Sequence, residues 1–205
     1  MMRQSRAARH LEKLSQSCKP MGFEESLIRN AAPTLAGIKV ANLYNYSFKS
    51  PKECRESIDK LNRRMNSKGI YIELFKNVDD FYLIYVYRKS LLTKELARAD
   101  VQNFLIGYGY ENSMNITECV ERLKARINSQ ECFPHEIGVF LGYPLPDVKS
   151  FIEKKGQDCI ACGEWKVYHN EQEAMCLFCK LRHCKEIYIK VYGAGRSIYD
   201  MTVSA

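Results

Sequence analysis

Two strongly β-prone runs, Ile70 to Phe75 and Phe81 to Tyr87, are separated only by Lys76-Asn77-Val78-Asp79-Asp80, which is turn chemistry. So short a connection permits an antiparallel hairpin, because a parallel crossover needs about a dozen residues or more. A hairpin alone is marginal in water and must be covered by other elements. The flanking sequence supplies them as helices. Ser50 reads as a cap, Pro51 takes the first helical position and Glu53 completes a capping box. Cys54, Ile58, Leu61 and Met65 then fall on one face, and Gly69 ends the helix. Leucine-rich residues 91–106 read as a second helix, closing at Gly107 and Gly109. Asn115 and Glu118 form another capping signature, followed by an apolar stripe of Ile116, Val120, Leu123 and Ile127.

The remaining segments are shorter. A helix is expected over Phe23 to Asn30, then a tight passage through Ala31-Ala32-Pro33-Thr34 and a strand from Ile38 to Phe48. A short helix follows Pro134 and stops near Gly142; Pro146-Asp147 opens another, with Val148, Phe151 and Ile152 facing inward. Beyond Gly156 the pattern suggests a strand over Glu164 to Tyr168, a helix from Glu171 to His183, and a last strand from Ile187 to Tyr192. The economical assembly is α+β: a single domain with a largely antiparallel sheet of about 3–5 strands packed with helices. Its expected parts are a basic N-terminal arm (1–20), an α+β core (21–156) and a cysteine-rich strand and helix element (157–205) packed on that core.

Composition narrows the classes. No run of about 18 apolar residues is present, so a membrane span is not expected. The basic opening Met1 to Leu14 lacks the apolar centre of a secretory signal, which suggests a cytoplasmic protein. Nine cysteines in a chain of 205 residues suggest reduced thiols, with metal binding as the sharper alternative to a disulfide framework. The net charge of +7 suits an anionic partner. That excess is diffuse, and its densest stretch, Lys49 to Lys68, reads as a solvated helix face.

Chemistry concentrates in Cys132-Phe-Pro-His-Glu-Ile-Gly-Val-Phe-Leu-Gly-Tyr-Pro-Leu-Pro-Asp147, where His135 and Glu136 sit among prolines and glycines. With Pro134 in a first helical turn, His135 and Glu136 would lie at a helix N-terminus, where unpaired N–H groups attract anions. Adjacent helical residues project about 100° apart, so the two do not face the same atom. They are the candidate catalytic residues. Thr34, Gly37, Lys39, Arg88 and Lys166 offer hydroxyl, backbone and cationic groups for phosphate or carboxylate, while Tyr143 and Trp165 offer a stacking wall.

Four ordered segments carry a family resemblance: Ala32-Pro-Thr-Leu-Ala-Gly-Ile-Lys39, Tyr85-Val-Tyr-Arg88, Phe133 to Pro144 with Asp147-Val148, and Trp165-Lys-Val-Tyr168. Through them the chain resembles the bacterial family called domain of unknown function 3793, from about Phe23 onward. The resemblance implies a shared site and no settled activity. Where the family pattern often has a cysteine, this chain has Ala31, which counts against a cysteine–histidine mechanism.

Cys159-Ile-Ala-Cys162-Gly163 has the form of a zinc knuckle, and Cys176-Leu-Phe-Cys179 follows, so four thiolates match the tetrahedral preference of structural zinc. Inert thiols, a redox pair and an iron–sulfur cluster are the alternatives. Two functional classes therefore stand open. One is a pocket for an anionic, partly aromatic small molecule or cofactor, in a binding protein or an enzyme using His135. The other is a zinc-stabilised interaction module meeting an acidic protein or nucleic acid.

Overall fold

Strand β3 (Phe81–Arg88) is buried along almost its whole length, and this decides the architecture. Side chains on a strand alternate between faces. Tyr82, Ile84 and Val86 thus enter one core and Tyr85 and Tyr87 another. β3 is the centre of a three-stranded sheet in the order β1-β3-β2, with β1 (Ala41–Tyr46) and β2 (Ile70–Val78) both antiparallel to it. The computed structural model describes residues 21–78, 81–129 and 133–204. The arm expected over 1–20, the tip of the hairpin and Cys132 lie outside the described residues.

Helices cover both faces of the sheet. On one side lie α1 (Phe23–Leu35), α2 (Pro51–Met65), α8 (Glu171–Gly193) and α9 (Ile198–Met201). On the other are α3 (Lys89–Leu96), α4 (Ala99–Ile106), α5 (Ile116–Ser129), α6 (Ile137–Phe140) and α7 (Leu145–Glu153). A two-stranded hairpin, β4 (Ala161–Cys162) and β5 (Lys166–Val167), joins the second group to α8. The chain is an α+β single domain with antiparallel sheets, as its pattern suggested.

Local chemistry explains several boundaries. Ser50 Oγ accepts from Glu53 N at 3.2 Å and Pro51 opens α2, though Glu53 Oε2 reaches back to Lys49 N rather than to the N-cap. At α5 the reciprocal box is complete: Asn115 Oδ1 accepts from Thr117 N and Glu118 N, and Glu118 Oε2 accepts from Asn115 N. The hairpin strands run further than their β-prone cores, pairing out to Val78 and Phe81, with an irregularity between Leu74 and Lys76. There Phe75 stacks on Tyr85, ring centroids 4.6 Å apart.

Three expectations fail, the last of them for a nonlocal reason. The expected passage at Ala31 to Thr34 is the last turn of α1, which continues through Pro33 to Leu35. The helix expected over 91–106 breaks in two between Leu96 and Ala99. The last strand expected over Ile187 to Tyr192 is the end of α8. Its residues are β-prone, but Tyr188, Ile189 and Tyr192 continue the buried series Ala174, Phe178 and Leu181 at helical spacing and pack in the core beside α1. Packing there overrides propensity.

Arg88, at the end of β3, is 2% exposed and donates to four backbone carbonyls. They belong to Thr34 (3.2 Å), Leu35 (2.8 Å), Lys68 (3.2 Å) and Val203 (3.0 Å). Gly37 follows α1 with φ 76°, a left-handed conformation that lets Ile38 N reach back to Pro33 O and close the helix. Replacing Arg88 with Met removes the shared donor and leaves buried carbonyls unpaired, each costing about 1–3 kcal/mol. Arg88→Met is expected to lower the urea unfolding free energy by about 3 kcal/mol or more, whereas Lys52→Ala, on an exposed face, should change it by under about 0.5 kcal/mol.

Candidate functional site

A cleft of about 330 Å³ opens where the α6–α7 segment faces the β4–β5 hairpin. His135, Ile137, Tyr143, Val148 and Phe151 line one side, Cys162, Gly163, Trp165 and Lys166 the other, and Phe133 stands at the edge. The walls are mainly apolar and aromatic. Trp165 lies 5.2 Å from Tyr143 and 4.5 Å, edge-on, from Phe178 of α8 (centroid distances), while His135 meets Phe151 edge-on at 5.3 Å. Gly163 permits the close seat of the hairpin on α8, because a Cβ there would fall 2.3 Å from the Phe178 ring.

Asp147, in the first turn of α7, holds this wall together. Its Oδ2 accepts from Trp165 Nε1 at 2.8 Å, and its Oδ1 accepts from the backbone N–H groups of Tyr168 and His169, both at 2.9 Å. Oδ1 also lies 3.1 Å from His169 Nδ1. The carboxylate is 2% exposed, so four contacts fix it between helix and hairpin. The His169 ring beyond it is half exposed. Sequence reading missed this hub, because nothing local connects Asp147 to residues some twenty positions later. Asp147 and Trp165-Lys-Val-Tyr168 both belong to the segments that carry the family resemblance, but nothing in either names the other as its partner.

The candidate residues divide by position. His135, Tyr143, Trp165 and Lys166 meet in the cleft. Lys39 lies directly behind it, 9% exposed, with Nζ 3.2 Å from Glu164 Oε2 and 5.5 Å from the Tyr143 ring centroid. Burial pulls the Lys39 ammonium below its ordinary pKa, against the opposing pull of Glu164, and burial likewise pushes the Tyr143 phenol up to about 12. Thr34, Gly37 and Arg88 are not in the cleft. Thr34 Oγ1 donates to Asn42 Oδ1 at 2.8 Å, Gly37 closes α1, and Arg88 is consumed by backbone carbonyls.

His135 and Glu136 diverge, as adjacent residues should, but they do not sit on the first turn of a sustained helix. They form the turn before α6, which is one turn long and offers little dipole. His135 is exposed to the cleft. Glu136 is fully buried on the opposite side, where Arg126 Nε donates to its Oε1, and its Oε2 has no partner. No carboxylate pairs with His135 among the described residues. Glu136 therefore braces α5 against the motif instead of sharing proton transfer with His135.

The four cysteines do not assemble as expected. Among the described residues no three His, Cys, Asp or Glu side chains are grouped so as to hold a metal ion. The reason lies in the register of α8. That helix begins at Glu171, so Phe178 is the side chain that meets the hairpin, and Cys176 and Cys179 turn outward. Cys162 is exposed and Cys159 half-buried.

Asp147→Ala should free the Trp165 indole, shifting its fluorescence to the red, and should cost about 3 kcal/mol through several stranded donors. Labelling with a thiol reagent at about pH 8 should modify Cys162, Cys176 and Cys179 rapidly. Cys54, which burial pushes up to about 11, and Cys119 should react only after unfolding. Joint protection of Cys162, Cys176 and Cys179, read by mass spectrometry, would instead reveal a shared metal.

No curated protein and no solved structure matches the chain. Residues 27–202, which include the whole sheet, the cleft and all of α8, match the family described as "Protein of unknown function (DUF3793)", and the chain belongs to that family.

Proposed function

We propose that the cleft binds a small molecule with a flat, largely apolar body and an anionic edge, the body against Trp165 and Tyr143 and the edge toward Lys166 and His135. One observation carries this reading: His135 and Tyr143 from the first segment and Trp165 and Lys166 from the second line a single cavity. Such a site, mostly apolar with few polar groups, is the usual form of a small-molecule pocket. Lys166 Nζ already donates to Gly156 O at 2.6 Å, so it stands at the rim as a held cation. Binding is favoured over catalysis because His135 has no carboxylate to orient it among the described residues and Glu136 faces away.

Trp165 is the only tryptophan of the chain and forms part of the wall, so its emission reports occupancy directly. Titration with 8-anilinonaphthalene-1-sulfonate, which joins an aromatic body to an anion, should give a saturable change in Trp165 emission. Phe151→Ala and His135→Ala should each weaken the probe by roughly five- to thirtyfold, about 1–2 kcal/mol. Unsaturable binding, or wild-type affinity in both variants, would show that the cleft is not the binding site.

A further inference from the structure

The turn that closes the cleft has a second side. Cys162 and Gly163 also wall a groove of about 490 Å³ that runs between α1, β1 and α8. Its character is the opposite of the cleft's. Arg29 enters from α1, Arg182 and Lys185 from α8, and Asn30 and Asn42 add amides.

The charges there are not cancelled. Glu164 is the acid of the lining, and it is engaged by Lys39 at 3.2 Å. Arg29 is held 2.8 Å from Glu25 in an exposed pair one helical turn apart, a kind worth only about 0.3–0.5 kcal/mol. It is therefore free to turn toward a stronger anion. Arg182 and Lys185 make no ion pair among the described residues. Three cations from two helices suit a tetrahedral dianion, which accepts donors from several directions, better than a planar carboxylate, which one guanidinium fork can satisfy.

We infer that the groove binds the phosphate of a ligand whose aromatic part lies in the cleft, with the Cys162–Gly163 turn between the two halves. This rests on the proposed function of the cleft and narrows its ligand class to phosphorylated aromatic compounds. The groove thus adds a phosphate site to the anionic edge that Lys166 and His135 meet in the cleft.

Two matched pairs differing only in the phosphate test it on the full chain: adenosine with its 5′-monophosphate, and riboflavin with its 5′-phosphate. Affinities are read by calorimetry and Trp165 emission. In at least one pair the phosphorylated member should bind about tenfold tighter or more. Arg182→Ala/Lys185→Ala, which alters exposed side chains, should erase that advantage and leave the unphosphorylated member unchanged. Equal binding within both pairs, or an advantage that survives the double variant, would overturn the inference while leaving the cleft standing. Inorganic phosphate alone binding as tightly as the phosphorylated aromatics would also overturn it, by making free phosphate the ligand. If no aromatic compound, charged or neutral, alters Trp165 emission, the cleft reading fails and the inference with it.

Discussion

Everything in this molecule is arranged around a strand that cannot tolerate water on either side. β3 sends Tyr82, Ile84 and Val86 to one face and Tyr85 and Tyr87 to the other, so both faces of the small sheet must be roofed with helices. Parallel sheets are commonly buried in this way; an antiparallel sheet usually keeps one face wet. Here three strands support two cores. The cleft is a consequence, because α6 is positioned by the sheet: the Tyr85 hydroxyl, fully buried, donates to Phe140 O at 2.8 Å and fixes the helix that the His135 turn leads into.

From that anchored helix the site is built outward by polar contacts. Asp147 ties α7 to the hairpin and sets the plane of Trp165. On the inner side, Glu136 ties the same segment to Arg126 of α5. Tyr110 and Arg122 also line this region, each with a buried polar atom that lacks a partner, as does Glu136 Oε2. The Glu136 and Asp147 contacts hold the segment from two sides, and it presents His135, Tyr143 and Phe151 to the cleft. A largely pre-formed, mostly apolar wall is the usual form of a small-molecule pocket.

What could be read from the sequence follows the range of the interaction. The caps at Ser50 and Asn115 were legible because donor and acceptor lie within three residues. The grouping of His135, Tyr143, Trp165 and Lys166 was legible through ordered motifs whose residue types suit a pocket. Arg88 was misread because a guanidinium offers the same donors to a ligand oxygen as to a backbone carbonyl, and its acceptors come from Thr34, Leu35, Lys68 and Val203. The spacing of Cys176 and Cys179 reports a shared helix but not which face meets Gly163; Phe178 took that role. The Ile187 to Tyr192 run shows the same limit, since its β-prone composition is local and the core it enters is not.

The Arg88 guanidinium also sets an order on how the chain can come together. Its last acceptor, Val203 O, lies 115 residues downstream, and Val203 N in turn donates to Leu35 O. During synthesis, the sheet, both helical layers and the cleft segment all emerge before that contact exists. Until then a buried cation at the centre of the fold lacks part of its coordination, and the closing of the structure waits on the arrival of residue 203. Contacts so distant in sequence slow assembly, and here they make the docking of residue 203 the step that locks the domain.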